Sequence, residues 1–354
     1  MLYRTYRPQT WADVVGQSHV VRTLQGALER DLVSHAYLFA GPRGTGKTTM
    51  ARIFARAINC TSEKGKPCGA CSLCQLSASN GSLDIIEIDA ASNRTIDDMR
   101  ALKETLSVSP TLGTHKVYVV DEAHMITKEA FNAFLKMLEE PPKHVVFILA
   151  TTEAHKIPPT ILSRVQKFDF HKLTPTEIST KLSSIASAEK LQVSPDVLLA
   201  IANASDGAMR DAEVMLTKLA MHASDGSAVD ASMLGRLLGL VPHTAHAELA
   251  EMLSTADWSG ALSAVRTHAQ QGADMDQFVR GLLHYLRLVM IGKIDASALD
   301  QDASASIKAH ATSMDGKLLV RAIEGFTSAR AQMRTSPIAT LPLELAIIEL
   351  GEKK

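Results

Sequence analysis

The chain has 354 residues, 46% hydrophobic and 21% charged, which is enough for two or three domains that each bury a core. Its longest apolar runs are strand-sized against the roughly 20 residues that cross a bilayer. Its start, Met1-Leu-Tyr-Arg-Thr-Tyr-Arg-Pro8, lacks the apolar stretch and cleavage site of a secretory signal, so a cytoplasmic protein with no membrane partner is expected. A formal net charge of −1 gives no global attraction to nucleic acid, so any such contact must come from a local basic surface.

In chain order, β-type runs at Ala36–Ala40, Ile85–Asp89, Lys116–Val120, Val145–Ala150 and Lys167–Phe170 alternate with segments of helical pattern. That alternation predicts an α/β fold with a parallel sheet. From about residue 172 the pattern is helical only. Thr174-Pro175 and Ser194-Pro195 each pair a hydroxyl N-cap with proline at the first helical position. Asp206-Gly207 separates the second and third of these helices, and Ser224-Asp-Gly-Ser227 marks a polar loop before a further helical region. Three domains are expected: a sheet domain over 1–171, a small helical domain over 172–228 and an all-α domain over 229–354.

Gly41-Pro42-Arg43-Gly44-Thr45-Gly46-Lys47-Thr48 fits G-x-x-x-x-G-K-[ST] directly after an apolar strand and before a helix expected over Thr49–Asn59. The glycines let the backbone fold around phosphates. The helix N-terminus offers free N–H groups, Lys47 reaches the β- and γ-phosphates of ATP, and Thr48 supplies a hydroxyl to Mg²⁺. Gly41 to Thr49 are therefore candidate nucleotide-binding residues. The strand Val117-Tyr-Val-Val120 runs into Asp121-Glu122, and a parallel strand delivers these acids to the same crevice as the P-loop. Asp121 is expected to hold the Mg²⁺ shell and Glu122 to polarise the attacking water. His124 reads as a structural residue. The strand Val145–Ala150 ends in Thr151-Thr152, which can sense the γ-phosphate if this strand lies between the P-loop strand and the Asp121 strand. Thr152 is favoured, although the sequence does not decide between the neighbours. Arg210, at a helix start in Gly207-Ala-Met-Arg210-Asp211, could fold onto the phosphates, but an isolated helical arginine is more often solvated.

All four cysteines, Cys60, Cys68, Cys71 and Cys74, form C-x₇-C-x₂-C-x₂-C. Four thiolates with no open position fit a structural Zn²⁺ site between the P-loop helix and the next strand. An iron–sulfur cluster, whose pattern the two C-x₂-C steps overlap, and free thiols are the alternatives.

Together, Arg4-Thr-Tyr-Arg-Pro-Gln-Thr-Trp-Ala-Asp-Val-Val-Gly-Gln17, Ser34-His-Ala-Tyr-Leu-Phe39, Ile86-Glu-Ile-Asp-Ala-Ala-Ser92, Phe131-Asn-Ala-Phe-Leu-Lys-Met-Leu-Glu-Glu-Pro-Pro142 and Thr160-Ile-Leu-Ser-Arg164 resemble the bacterial DNA polymerase III gamma/tau family of AAA+ clamp-loader ATPases. The likeness is dense to residue 240 and rests on helical pattern after it. It implies an AAA+ P-loop sheet domain with a zinc-binding insertion at 60–74, a helical lid and an all-α collar for oligomerisation. It also implies that Arg7 to Gln17 lies beside the adenine, that Thr152 and Arg210 are the first and second sensors, and that Arg164 is an arginine finger. Among the metal alternatives it favours zinc. The family's usual Ser-Arg-Cys reads Ser163-Arg164-Val165 here, so the packing beside the arginine differs. The resemblance further implies an ATPase within a five-subunit assembly of related subunits that opens a sliding clamp and loads it onto primer-template DNA. As a component of the holoenzyme it would be classed with DNA-directed DNA polymerase. Ser92 to Thr95 would face the interior of that assembly. The chain ends near the collar-like helices, so the longer form's segments that reach the polymerase and the helicase are expected to be absent. A hexameric AAA+ DNA motor of the Holliday-junction branch-migration type is the runner-up, but Ala90 to Thr95 lacks the aromatic that threading motors commonly present there. An ATP-binding scaffold and a superfamily helicase fit less well.

Overall fold

The computed structural model describes residues 1–354 except 63–64, 79–80, 223–233, 240, 242, 296–304 and 353–354. The polar loop expected at Ser224–Ser227, the domain boundary at 228 and the final two lysines fall outside the described residues. By backbone packing the chain divides into two compact units. The first is Met1–Ile185 with Ser205–Val214, and the second is Ala186–Ala204 with Met215–Lys354.

The first unit is built on five strands: β1 (Ala36–Ala40), β2 (Ile85–Asp89), β3 (Lys116–Asp121), β4 (Val145–Thr151) and β5 (Gln166–Asp169). They pair in the order β2-β3-β4-β1-β5, all parallel, so β4 lies between the P-loop strand and the Asp121 strand, the condition on which a sensing role for Thr151-Thr152 depends. Every residue of β1 and β4 is buried, the continuous apolar run of a strand covered on both faces. The period-two alternation of side chains divides these residues between two cores. Leu38, Tyr118, Val120, Phe147 and Leu149 belong to one, and Tyr37, Phe39, Val117, Val119 and Ile148 to the other.

Helices cover each face. The unit's main helices are α1 (Ser18–Glu29), α2 (Lys47–Asn59), α3 (Ser72–Ala78), α4 (Ile96–Leu106) and α5 (Lys128–Glu139). α2 packs Met50, Ile53 and Phe54 on the second core, with Phe54 edge-on to Tyr37 at 4.9 Å between centroids. α5 packs Phe131, Phe134 and Met137 on the first, with Phe134 edge-on to Phe147 at 5.1 Å. Each fully buried side chain of this size contributes about 1.5–3 kcal/mol. An exposed pair such as Arg52–Glu87 at 2.6 Å contributes about 0–1, so apolar burial rather than surface charge sets the sheet's stability.

The strands lie within one residue of their expected limits, and two differences matter. β3 and β4 run one residue further, so Asp121 and Thr151 are the last residues of their strands. The P-loop helix begins at Lys47 rather than Thr49, which puts the lysine and both threonines in the first turn, where backbone N–H groups have no helical acceptor.

Beyond the sheet come α6 (Pro175–Ala188), α7 (Pro195–Ala204) and α8 (Met209–His222). Thr174 caps α6 reciprocally with Glu177: the Glu177 carboxylate accepts from Thr174 N–H at 2.8 Å, and Thr174 Oγ1 accepts from Glu177 N–H at 3.2 Å. Asp206 and Gly207 both take positive φ, 53° and 79°, which breaks the chain sharply before α8. Among the described residues the second unit gathers six further α-helices, His243–Ser254, Trp258–Gln270, Met275–Ile294, Ala305–Ser313, Gly316–Met333 and Leu341–Glu352. Their core includes Leu253, Phe278, Leu286, Phe326 and Ile347. Among the described residues no helix is long and apolar enough to cross a membrane.

Candidate nucleotide-binding site

The parallel register brings Ala40, Thr151 and Asp121 to one edge of the sheet, and there a cleft of about 670 Å³ opens. The P-loop forms one wall. Gly44, with φ +78°, allows its closure, because a Cβ at that position would meet the Cβ of Ala208. The Met209 N–H donates to the Gly44 carbonyl at 3.1 Å, which fixes the start of α8 to the loop.

Lys47 is 7% exposed, and its Nζ donates to the carbonyls of Gly41 (2.8 Å) and Pro42 (2.7 Å). Burial lowers its pKa, and the carboxylates of Glu122 and Asp121 oppose that shift. Thr48 Oγ1 donates to Asp121 Oδ2 at 2.9 Å, so a hydroxyl and a carboxylate from separate elements converge. That pairing of hard oxygen donors fits Mg²⁺, which is held through few protein ligands alongside phosphate oxygens.

Glu122 adopts φ +47°, a left-handed conformation that costs a non-glycine residue on the order of 1–3 kcal/mol and recurs at functional sites. Its Oε2 accepts from Thr152 Oγ1 at 3.2 Å and lies 3.5 Å from His124 Nδ1. His124 also reaches Thr151 Oγ1 at 3.1 Å and Glu153 Oε1 at 3.3 Å. Thr151 is fully buried, whereas Thr152 lines the cleft.

Of the sequence-predicted residues, Arg43 to Thr49, Asp121, Glu122, Thr152 and Arg210 line this one cleft, while Gly41 and Pro42 support Lys47 from behind. Arg210 stacks its guanidinium 5.1 Å from the centroid of the Tyr3 ring, a cation–π contact, and Arg7 Nε donates to Thr49 Oγ1 at 3.1 Å. Arg164 is not among the lining residues. It donates to Glu139 Oε1 at 2.8 Å and to the Thr160 carbonyl at 2.9 Å. Sequence reasoning missed Tyr3 and Glu213, which also line the cleft. Neither stands in a motif, and only the folded N-terminal segment and α8 bring them there.

Two family profiles match the chain: one described as DNA polymerase III, delta subunit, over residues 16–174, and one described as DNA polymerase III subunits gamma and tau domain III, over residues 229–353. Relatives include DNA polymerase III subunit tau of Bacillus subtilis, 45% identical over 82% of this chain and 52% of its own length. DNA polymerase III subunit gamma/tau of Mycobacterium bovis is 36% identical over 99% of this chain and 62% of its own. The chain belongs to the DNA polymerase III gamma/tau family. It spans between about half and two thirds of the length of these two curated relatives. A solved point mutant of Thermotoga maritima RuvB superposes with a TM-score of 0.51 at 18% identity, covering 77% of this chain and 87% of that one. At that identity the likeness is one of fold.

In this gamma/tau-family chain the four cysteines gather at the far end of the P-loop helix. Cys60 ends α2, and the Sγ atoms of Cys60, Cys68, Cys71 and Cys74 all lie within 4.8 Å of one another. Sulfurs bound tetrahedrally at about 2.3 Å would stand about 3.8 Å apart, so the cluster has the dimensions of a closed four-thiolate metal site. The backbone N–H of Cys71 donates to Cys68 Sγ at 3.3 Å and holds that thiol below its ordinary pKa, which favours the thiolate that a metal binds. The module is tied to the rest of the unit by Trp11 Nε1, which donates to the Lys66 carbonyl at 2.6 Å.

Proposed function

We propose that this chain is an ATP-hydrolysing subunit of a sliding-clamp loader. The observation that carries this reading is the convergence of Lys47, the Thr48–Asp121 pair, Glu122, Thr152 and Arg210 on one cleft. Lys47 and the first-turn N–H groups of α2 bind the phosphates. Thr48 and Asp121 would hold Mg²⁺, which would supply charge neutralisation to the phosphates when bound. Glu122 orients and deprotonates the attacking water, and Thr152, already bonded to Glu122, links that base to the γ-phosphate. Arg210 reaches the phosphates from α8. The Cys60–Cys68–Cys71–Cys74 cluster holds Zn²⁺ and has a structural role.

Family membership supports the remaining parts. The sheet region to residue 171, the lid over 172–228 and the collar over 229–354 would work within a five-subunit cytoplasmic assembly. Its partners are related subunits, the sliding clamp and primer-template DNA. ATP binding lets the assembly grip and open the clamp, and hydrolysis releases it. The likeness to RuvB extends only to the fold, and Ala90 to Thr95 carries no pore-type aromatic, so a branch-migration motor is not favoured.

Arg164, bonded to Glu139 off the cleft, acts on the nucleotide of a neighbouring subunit. A finger supplied in trans is worth about 10³–10⁵ in rate. Mixing Arg164→Ala subunits with Lys47→Ala subunits in reconstituted loaders, and measuring clamp- and DNA-dependent ATP hydrolysis, tests this. Activity should return in proportion to interfaces that pair an intact P-loop with an intact finger. An Arg164→Ala chain that loses ATP binding as badly as Lys47→Ala does would place the arginine's action in its own subunit.

A further inference from the structure

The cleft contains two neighbourhoods of charge, bridged by Arg7, which interacts with both Asp121 and Glu213. At the phosphate end Lys47 acts with Asp121 and Glu122. Elsewhere Glu213 lies among Lys181 and Arg7, and Lys181 also acts on Asp13. α8 gives the direction between them: its start is pinned to Gly44 by the Met209 N–H, Arg210 follows, and Glu213 stands three residues on, about 4.5 Å further along the axis. The same cleft is lined by Val14, Val15 and Leu173. These apolar walls are fixed to each other, because Gln17 Nε2 donates to the His171 carbonyl at 2.8 Å and Gly16 packs against Leu173. Glu213 is 6% exposed.

Building on the nucleotide reading above, we propose that Glu213 is a specificity-determining residue that reads the edge of the nucleobase and selects adenine. A triphosphate seated on the P-loop sends its base away from Lys47, toward the flat apolar walls of Val14, Val15 and Leu173. A buried acid in a cleft built for a polyanion works against phosphate binding, so its place is at the other end of the ligand. The chemistry of the edge then discriminates. Adenine presents an N6 amino donor beside the N1 acceptor, which a neutral carboxyl matches with its carbonyl oxygen and its O–H. Guanine presents N1–H and a 2-amino group, two donors that a carboxylate matches instead. Burial raises the Glu213 carboxyl to about 7, against the opposing pull of Lys181 on α6 and Arg7 of the N-terminal segment. Arg4 and Asp13 on that segment, Arg52 on α2 and Arg210 on α8 are further charged groups lining the cleft. Below that value the neutral, adenine-matching form prevails, and above it the carboxylate does.

The test is calorimetric titration of the full chain with Mg-ATP and with Mg-GTP between about pH 6 and about pH 8.5, a range that spans the carboxyl's titration. Wild type should prefer ATP by about tenfold or more at the acid end, the scale of one well-placed hydrogen-bond pair, and the ratio should narrow as pH rises. Glu213→Gln, which keeps one donor and one acceptor at all pH values, should retain the preference with no pH dependence. Glu213→Leu should bring the two affinities within a factor of about two. An unchanged ATP-to-GTP ratio in Glu213→Leu, or an equal weakening of both nucleotides, would overturn the proposal, as would a wild-type pH dependence that persists in Glu213→Gln. A wild-type chain that binds neither nucleotide would instead refute the nucleotide reading of the cleft, and this inference with it.

Discussion

Single residues at the cleft do work that their neighbours cannot take over. Thr151 and Thr152 are adjacent and chemically alike, yet the pleat turns one into the protein toward His124 and the other into the cleft toward Glu122. Sequence pattern cannot separate them, because the strand's last residue is fixed only by its pairing with β1. Gly44 is a sharper case. Its φ of +78° and its approach to Ala208 leave no room for a side chain, and a left-handed alanine costs about 1–2 kcal/mol before any clash is counted. Gly44→Ala should therefore weaken ATP binding by roughly tenfold or more. Titration of the variant with ATP checks this, and wild-type affinity would show that the loop opens without the Gly44–Ala208 approach.

At the scale of elements, two devices fix the sheet's connections. Asp84, 2% exposed just before β2, accepts the N–H groups of Thr111 (2.6 Å), Leu112 (2.8 Å) and Gly113 (2.7 Å). Asn59, at the end of α2, accepts from His115 N–H at 2.9 Å and donates to the His115 carbonyl at 2.8 Å. The loop before β3 is thus held from both sides. Burial works to raise the Asp84 carboxyl, but the three N–H donors prevail and hold it below its ordinary value. A depressed folded pKa means that stability is fully present above the unfolded value near 4 and is lost as pH falls through the folded value. Asp84→Ala should destabilise the sheet unit by roughly 3 kcal/mol at neutral pH, seen as a lower thermal midpoint, and the gap to wild type should shrink below about pH 4. A gap that is independent of acid would remove the carboxylate from the account. The cysteine module gives a second outcome: elemental analysis should find about one zinc per chain. Cys71→Ser should lose metal and thermal stability while keeping its phosphate-binding residues, whereas iron in the wild type would contradict the assignment. The strands, the P-loop and the cysteine spacing were legible in the sequence because each is a local pattern. Asp84, Asn59 and Glu213 were not, since their roles arise from partners 27 to 56 residues away or from the wall of a cleft that no local pattern describes.

For the molecule as a whole, the chemistry gathers in the first unit, where all the cleft's lining residues lie. The second unit is helical, with a core of its own. Its sequence shows only a helical rhythm with no short motif, whereas the gamma and tau domain III profile covers residues 229–353. The central claim is that this cleft binds ATP through one residue and hydrolyses it through another. Lys47 and Glu122 line the same cleft, and the roles proposed for them, contact with phosphate and preparation of water, are distinct, so the two functions should separate on mutation. The most direct measurement is paired ATP-binding titration and single-turnover hydrolysis for Lys47→Ala and Glu122→Gln. Lys47→Ala should lose most affinity, while Glu122→Gln should bind as wild type does and hydrolyse slower by a factor on the order of 10² or more. Equal ATP binding by wild type and Lys47→Ala, or undiminished hydrolysis by Glu122→Gln, would contradict it.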